Sequence, residues 1–289
     1  MAYNFSKLVG LFIGGLTVSL AACNSNSDSP ESELPAKALK PYYYAHPMDQ
    51  ECCTVIAHAG GAIDGNSYSN SREAVELNYS YGTRLFEIDF GLTSDGHWVA
   101  AHDWPNWKRR TEFEGEIPPN LSTFNATTRK WRKSKKSMDF EYSAIDMTWL
   151  DAFLAEHSDA YIITDMKNID KYSEFVDVIL KSPNRDQFIF QAYSIEHIDL
   201  IKFRSEDAKI ILTLYRLGYA VSTVAKMIEK KDDLIGITAP MDWAIVEGIA
   251  ERLVDTGLPI YLHGNPSNIN SRAMHADFAA RGINGFYLD

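Results

Sequence analysis

The sequence predicts an α/β fold, a single (β/α)8 TIM barrel with an insertion after the second strand. Eight short apolar runs, rich in β-branched and aromatic residues, alternate with helical patterns, which is typical of a parallel sheet buried under helices. The region that carries them is about 250 residues long, an ordinary length for one such barrel. Polar residues fall at the carboxyl ends of the runs, where the active sites of barrels lie.

The predicted strands and helices alternate along the whole of this region. The strands are expected at residues 54–58, 85–92, 161–166, 188–192, 210–214, 234–238, 260–263 and 285–288. The helices are expected at residues 71–81, 148–156, 171–180, 195–203, 220–230, 242–255 and 271–280. Eight strands in about 240 residues favour closure of the sheet into a barrel.

The first residues have the pattern of a targeting signal. Lys7 precedes an apolar run over residues 8–20, which is followed by two alanines and Cys23. The run is too short for a comfortable membrane span. It predicts a lipoprotein signal peptide over residues 1–22, with Cys23 as the lipidated new N-terminus. The alternative is an ordinary secretory signal with a chance cysteine.

Residues 23–41 are rich in Asn, Ser, Asp, Glu, Pro and Ala and are predicted to form a flexible tether. The barrel domain is then expected over residues 42–289. We therefore expect a lipid-anchored lipoprotein of the bacterial cell envelope, attached to the membrane through Cys23.

Charge and cysteine content exclude two classes of protein. The net charge is −11, and it becomes −12 without residues 1–22, whose only charged side chain is Lys7. A general nucleic-acid binder is therefore not expected. Cys52 and Cys53 are adjacent, so they cannot easily bridge each other, and no disulfide framework is implied. They are interpreted as small buried apolar residues, with a redox or metal role as the alternative.

One pair of carboxylates lies in the second predicted strand. Glu87 and Asp89 are two residues apart, so they share a face, while Phe86, Ile88 and Phe90 pack the other side. A solvated or salt-bridged pair is the alternative, but two unpaired carboxylates on a buried strand are costly. Hard oxygen ligands paired in this way predict one divalent cation, Mg or Ca.

Two histidines flank this carboxylate pair in the sequence. His58 closes the first predicted strand beside Gly60 and Gly61, and His102 follows the second strand. Near a metal, two imidazoles supply a proton acceptor and a proton donor, which is what breaking a phosphodiester requires. Alone, His58 would more often be a satisfied core histidine. Together the two histidines are predicted to be catalytic.

Further polar residues fall at the ends of later strands. Asp165 and Lys167 close the third strand, and their alternative role is to pair with each other. Four more residues are candidates for substrate binding on position alone, with packing or capping as the alternative; these are Gln191, Tyr215, His263 and Asn265.

The segment over residues 104–145 is longer than a usual loop. It is expected to be an insertion over the active face, with no helix before the one predicted at residue 148. Residues 129–136 within it contain six positive charges in eight positions. They are interpreted either as a solvated charged loop or as a patch that binds anionic surfaces.

The motifs in this order resemble those of the glycerophosphodiester phosphodiesterase family, which belongs with phosphatidylinositol-specific phospholipases C among barrel phosphodiesterases. The resemblance extends along the whole domain. In the first half of the domain, His58 matches the histidine of the family's His-Arg-Gly, Ser69-Asn70-Ser71 stands at its Glu-Asn-Thr, and Glu87 and Asp89 match its Glu-x-Asp. Residues 93–96 match its Thr-x-Asp-Gly, His102 and Asp103 its His-Asp, and Arg110 and Thr111 its Arg-Thr. Further along, Asp165 and Lys167 stand at its Glu-x-Lys, and residues 282–289 match the closing Gly-x-x-Gly-x-x-x-Asp.

The resemblance implies a role for each matching residue. Glu87, Asp89 and Asp165 would hold the metal, His58 and His102 would do the acid/base work, and Lys167 would contact the phosphate. It also implies that a neighbouring hydroxyl of the substrate attacks first and forms a cyclic phosphate, which water then opens.

Three positions depart from the family pattern. Ala59 replaces the arginine after the histidine, which removes a charge that would grip phosphate in a bidentate manner. Ser69 replaces the glutamate of the triplet, and Asp165 is one methylene shorter than the usual glutamate. These changes affect substrate identity more than reaction type, and Lys108, Arg109, Arg110 or the basic insertion are candidates to replace the lost charge.

Three functions are therefore considered. The first is metal-dependent hydrolysis of glycerophosphodiester-type substrates by histidine acid/base catalysis. The second is a phospholipase-like lyase that releases cyclic phosphate from a lipid or polymer headgroup. The third, motivated by Ala59 and Ser69, is a substrate-binding lipoprotein without turnover, although a binder has no need for a paired acid and base.

Overall fold

The computed structural model describes residues 55–64, 66–127, 129–131, 140–217, 229–242, 249–264 and 277–288. Several sequence predictions lie wholly or mostly outside these ranges: the signal peptide, Cys23, the tether, Cys52 and Cys53, the helices at 220–230 and 271–280, Asn265 and the basic run. Among the described helices, none is both long enough and apolar enough to cross a membrane.

Eight parallel strands close into a barrel, as the sequence predicts. Each strand pairs with the next one along the chain, and the last pairs with the first. The predicted and observed bounds agree within two residues. The barrel strands are β1 Val55–Ala57, β2 Leu85–Leu92, β6 Tyr161–Met166, β7 Phe188–Ala192, β8 Lys209–Thr213, β9 Gly236–Pro240, β10 Ile260–His263 and β11 Gly285–Leu288.

Three further strands lie outside the barrel wall. The strand β3 Trp98–Ala100 runs antiparallel to the end of β2, with Leu92 opposite Trp98. The strands β4 Arg129–Trp131 and β5 Phe140–Tyr142 form a separate antiparallel ribbon.

The barrel interior has an apolar layer below a polar layer. Leu85, Ile163, Ile189 and Tyr261 belong to one buried cluster inside the barrel. Because side chains two apart on a strand share a face, the residues two positions further along these strands also face inwards, nearer the carboxyl ends. These polar residues are Glu87, Asp165, Gln191 and His263.

Helices cover the outside of the barrel. A second, larger apolar cluster fills the space between strands and helices. Phe86 and Phe90 are fully buried there, so truncation of either to alanine would cost about 3–5 kcal/mol. The α-helices whose bounds the structure describes are α1 Arg72–Ser80, α2 Trp104–Thr111, α3 Leu121–Ala126, α4 Met147–Glu156, α5 Tyr172–Ile179, α6 Ile195–Arg204 and α7 Ile249–Val254.

The sequence predicted no helix between His102 and residue 148, and this prediction was wrong. The helices α2 and α3 lie there. Asp103 caps α2 by accepting a hydrogen bond from the Asn106 amide at 2.7 Å, and a proline stands in the first turn. Both are local helix-start signals. The apolar faces of α2 and α3 bury Trp107 and Phe124 in a cluster with Val99.

Candidate active site

Three carboxylates meet at the carboxyl end of the barrel. Asp89 on β2 lies opposite Asp165 on the neighbouring β6, and Glu87 lies one pleat below Asp89. One oxygen from each of the three lies within 4.8 Å of the others. Glu87, Asp89 and Asp165 are all buried, at 2%, 0% and 8% exposure. The strand register therefore brings together the three residues that the resemblance implied as metal ligands.

Lys167 neutralises part of this negative charge. Its ammonium lies 3.0 Å from Asp89 Oδ1 and also contacts Asp165 Oδ2. Burial lowers the pKa of Lys167, but the carboxylates of Asp89, Asp165 and Glu87 raise it by more, so the net shift of the Lys167 pKa is upward. The ammonium is thus charged and held beside the acidic cluster, where a phosphate bound at the cluster would meet it.

The acidic cluster still carries more negative charge than its surroundings compensate. Burial and the neighbouring Asp89 raise the pKa of Glu87 to about 8. Apart from the Lys167 ammonium 3.0 Å away, the buried Asp89 Oδ1 has no hydrogen-bond partner among the residues that the structure describes. Buried carboxylates in this state are stabilised by a cation, and an all-oxygen donor set suits Mg or Ca. These residues therefore fit a divalent metal.

Asn70 is a site residue that the sequence predictions did not select. Its Nδ2 donates to Asp89 Oδ2 at 2.9 Å, and its Oδ1 accepts from the Asp89 amide at 3.1 Å. Asn70 is buried and adopts a left-handed conformation with φ 46°. It is the asparagine of the triplet that matched the family pattern, and that match was the available signal.

Tyr193 is a second residue that sequence reasoning missed. Its hydroxyl donates to Asp165 Oδ1 at 2.5 Å and accepts from the Met166 amide at 2.6 Å. Burial raises the pKa of Asp165, but Lys167 and Tyr193 lower it more, so the net shift of the Asp165 pKa is downward. Tyr193 follows β7 without any sequence motif, so no local signal marked it.

The loop after β1 places His58 beside the carboxylates. His58 Nε2 lies 3.9 Å from Glu87 Oε2, and the Ala59 amide donates to the same oxygen at 2.7 Å. Ala59 is fully buried with φ 50°. A Cβ at Gly61 would lie 2.5 Å from Asn78 Nδ2, so the tight loop requires glycine there.

The backbone at position 59 therefore takes part in the site although the arginine side chain of the family is missing. Ser69, the second departure, is also fully buried, and its hydroxyl pairs with that of Ser71 at 2.9 Å. Ser71 in turn caps α1. The Ser69 hydroxyl thus supports the residue that orders the start of α1.

Tyr68 stands between the two histidines. Its ring centroid lies 4.4 Å from that of His58 and 6.1 Å from that of His102, edge to face in both cases. Its φ of 60° is unusual for a bulky residue, and such strain is concentrated at functional sites. The sequence contained no signal that Tyr68 would lie next to both histidines.

His102 is held by the residue that follows it. Its Nδ1 lies 2.7 Å from Asp103 Oδ2. Burial raises the pKa of Asp103, but hydrogen bonds from Asn106 and His102 lower it more, so the net shift of the Asp103 pKa is downward. An ionised Asp103 holds the proton on Nδ1 and leaves Nε2 as the nitrogen available for chemistry.

Two cavities share Tyr68 as a wall. The first, of about 160 Å³, lies at the barrel mouth and is lined by His58, Glu87 and Asp165. Gln191, Tyr215 and His263, which sequence position suggested as substrate-binding residues, also line this barrel-mouth cavity. Asn265 lies outside the described residues.

His263 is the most distinctive of these lining residues. Its Nε2 is buried and has no hydrogen-bond partner among the described residues. Burial and the nearby His58 lower the pKa of His263 to about 4. The imidazole is therefore neutral near pH 7 and has a nitrogen available for a ligand in the cavity.

The second cavity, of about 290 Å³, lies on the other side of Tyr68 against α2. Its lining includes His102, Asp103, Asn106, Trp107 and Arg110. We call it the α2 cavity. The two histidines thus face two different cavities across one tyrosine ring.

No protein-family model matches the sequence, and no curated protein matches it. Solved structures do resemble its fold. A glycerophosphoryl diester phosphodiesterase from Parabacteroides distasonis superimposes with a TM-score of 0.63 at 16% identity, covering 86% of this chain and 83% of that one. A glycerophosphodiester phosphodiesterase from Agrobacterium tumefaciens gives 0.58 at 16% identity, covering 81% and 95%.

An Oleispira antarctica phosphodiesterase, solved in complex with the product sn-glycerol-3-phosphate, is similar to the same extent. It gives a TM-score of 0.61 at 14% identity, covering 82% of this chain and 92% of that one. Identities this low report on the fold. The chain therefore has the fold of the solved glycerophosphodiester phosphodiesterases, a closed eight-stranded (β/α)8 barrel.

Proposed function

We propose that this protein is a metal-dependent phosphodiesterase that hydrolyses glycerophosphodiester-type substrates by histidine acid/base catalysis. The observation that carries the proposal is the buried cluster of Glu87, Asp89 and Asp165, with His58 3.9 Å from Glu87. His102 lies beyond Tyr68, whose ring is near both histidines. Solved structures with the same fold include glycerophosphodiester phosphodiesterases, and a phosphodiesterase with this fold holds the product sn-glycerol-3-phosphate. This likeness supports the choice of substrate class.

Glu87, Asp89 and Asp165 would hold one divalent cation, Mg or Ca. When bound, the cation polarises the phosphoryl oxygens and offsets the negative charge that develops on them. The Lys167 ammonium, already at the cluster, contributes a second positive charge to the phosphate. Asn70 and Tyr193 keep Asp89 and Asp165 in place.

The two histidines would divide the proton transfers. One imidazole takes the proton of the attacking hydroxyl, and the other donates a proton to the leaving alkoxide. Asp103 prepares His102 for either role because it keeps Nε2 as the reacting nitrogen. The orienting carboxylate on a histidine is a recurring device of acid/base sites.

The proposal is tested directly by measuring the hydrolysis of a glycerophosphodiester in the presence of defined metals. Purified protein should hydrolyse a glycerophosphodiester with Mg, Ca or Mn, and His58→Ala and His102→Ala should each lower kcat by about 10²–10⁴-fold. Tight binding of the diester without turnover under all three metals would contradict the proposal and favour the binding lipoprotein.

Metal binding has its own readout, independent of activity. A ligand that binds only the folded state raises Tm, so Mg or Ca should raise the Tm of the wild type. Asp89→Asn should abolish this rise, whereas Asp151→Asn, a partner of Ser182 and Asn184 remote from the cluster, should keep it.

The route to the product is a finer part of the proposal. If a hydroxyl of the substrate attacks first, a cyclic phosphate forms before water opens it. Phosphorus NMR distinguishes the two outcomes, because a five-membered cyclic phosphate resonates far from a monoester. Accumulation of the cyclic product would assign the protein to the lyase class.

We further propose that the protein is a lipoprotein of the bacterial cell envelope, anchored to the membrane through Cys23. The support is the sequence alone, an apolar run of signal length followed by two alanines and the cysteine. Labelled fatty acid should be incorporated into the wild type and not into Cys23→Ser, which should be released from the membrane fraction. Equal membrane retention of both forms would contradict the anchor.

A further inference from the structure

The α2 cavity is the larger of the two spaces next to the histidines, at about 290 Å³ against about 160 Å³ for the barrel-mouth cavity. It begins at Asn70, whose amide binds Asp89, and it is lined by His102. A diester whose phosphate lies at the acidic cluster would therefore have one arm in each cavity. The α2 cavity is the one with room for the bulkier arm.

Charge in the α2 cavity is unevenly distributed. Asp103 is the only carboxylate among its lining residues. Its Oδ1 accepts from the Asn106 amide at 2.7 Å, and its Oδ2 accepts from Asn106 Nδ2 at 2.6 Å and pairs with His102. The carboxylate is thus committed to neighbours of this protein and offers little to a cationic ligand.

Arg110 supplies the positive charge of the cavity. Its Nη1 donates to the carbonyls of Ser67 and Tyr68 at 3.2 and 3.4 Å, which fixes the guanidinium beside the Tyr68 wall. The side chain is partly buried, so its charge is less screened than that of a surface arginine. A guanidinium remains charged at neutral pH and binds phosphate and hydroxyl oxygens well.

We propose that the α2 cavity is the subsite for the leaving alcohol of the diester, and that Arg110 selects headgroups that carry hydroxyls and an additional negative charge over those that carry a quaternary ammonium. The inference rests on the proposed function and names its substrate class. An anionic polyol headgroup finds the Arg110 guanidinium there. A quaternary ammonium would meet Arg110 and would find Asp103 already engaged.

Three diesters that share the glycerophosphoryl group and differ in headgroup charge and hydroxyl content test this preference. They are glycerophosphocholine, glycerophosphoglycerol, and glycerophosphoglycerol with a phosphate on its distal hydroxyl. The wild type should show kcat/KM about tenfold higher for the phosphate-bearing diester than for the choline diester at low salt. Arg110→Met should bring this ratio close to one, chiefly through KM, and Arg110→Lys should keep part of it.

Arg109→Met is the matched control. Arg109 is the neighbouring residue of α2, exposed, paired with Asn106 and absent from the cavity lining. Its loss should leave the ratio unchanged within about twofold, because exposed charges are strongly screened. If Arg110→Met does not fold, Arg110→Lys carries the test, because it keeps the charge but loses the planar guanidinium and should retain only part of the preference.

The outcomes separate this inference from the proposed function. Absence of turnover of every diester overturns both. Turnover with a preference for choline, or an equal effect of Arg110→Met on all three diesters, overturns the headgroup subsite and leaves the phosphodiesterase intact. A loss of preference confined to Arg110→Met, with Arg109→Met unaffected, supports it.

Discussion

Asn70 binds Asp89 through two hydrogen bonds, one to the Oδ2 of the carboxylate at 2.9 Å and one from the backbone amide at 3.1 Å. The pair links the loop before α1 to the strand that carries the acidic cluster, so the position of Asp89 depends on both. Because Asp89 is fully buried, bulk solvent does not reach it to replace Asn70.

Asn70→Ala is therefore expected to weaken metal binding about 10- to 100-fold, as loss of a partner that orients a ligand does. It should also lower the free energy of unfolding by about 1–3 kcal/mol, because a buried oxygen and amide lose their partner. Titration calorimetry with Mg and Ca measures the first, and chemical denaturation the second.

Asn120→Ala is the control for this prediction. Asn120 caps α3 by accepting from the Thr123 amide at 2.8 Å and is exposed. Its loss should cost about 1 kcal/mol of stability and leave metal affinity unchanged. An equal fall in metal affinity for both variants would show that general destabilisation, not the Asn70–Asp89 contact, is responsible.

The raised pKa of Glu87 predicts that the stability of the metal-free protein depends on pH. Burial and Asp89 raise the pKa of Glu87 from an ordinary 4.5 to about 8, so between these pH values the folded state holds a proton that the unfolded state has released. Stability that Glu87 contributes is therefore present below pH 4.5 and is lost as pH rises towards about 8. Glu87→Gln should remove this loss and raise Tm relative to wild type at pH 8.

The same proton must leave before a cation binds Glu87 as a carboxylate. Metal affinity of the wild type should then increase with pH up to about pH 8. Thermal denaturation without metal measures the pH dependence of stability. Calorimetry of metal binding in buffers of different ionisation enthalpy measures the proton that is released. A Tm difference between Glu87→Gln and wild type that is independent of pH contradicts the shifted pKa.

Asp103→Asn is expected to lower kcat by about 10- to 100-fold with little change in KM, which is less than loss of the His102 imidazole costs. Asparagine still caps α2, so the fold should survive while the charge that stabilises the protonated imidazole is lost. Steady-state kinetics and far-ultraviolet circular dichroism measure the two effects.

Asp146→Asn is matched to it, because Asp146 caps α4 in the same manner, by accepting from the Trp149 amide at 2.9 Å. It has no histidine to orient. Normal kinetics are expected, and a comparable fall in kcat would assign the Asp103 effect to helix capping.

Tyr193→Phe should weaken metal binding, because Asp165 loses the donor that lies 2.5 Å from its Oδ1. Without this donor the pKa of Asp165 rises. Tyr172→Phe is the comparison, since the Tyr172 hydroxyl is also buried but donates to the Gln191 carbonyl at 2.9 Å and not to a carboxylate. Both should lose about 1 kcal/mol of stability. Calorimetry should show weaker metal binding in the Tyr193 variant alone.

Local pattern in the sequence was sufficient for much of this architecture. The run Leu85–Leu92 was bounded correctly because its inward Glu87 and Asp89 alternate with Phe86, Ile88 and Phe90, and alternation with period two is a property of neighbouring residues. The same alternation predicted which polar residues would reach the barrel mouth. The helix signals at Asp103 and the following proline were equally local but were not used.

The tertiary structure alone decided how the site is held and divided. Asn70 meets Asp89 across 19 residues and Tyr193 meets Asp165 across 28, and closure of the barrel rather than local preference makes these contacts. The placement of His58 and His102 in separate cavities on either side of Tyr68 depends on the same closure. Periodicity and capping act between neighbours and are written in the sequence, whereas the partners of a buried side chain are set by which distant strands and loops the packed barrel brings together.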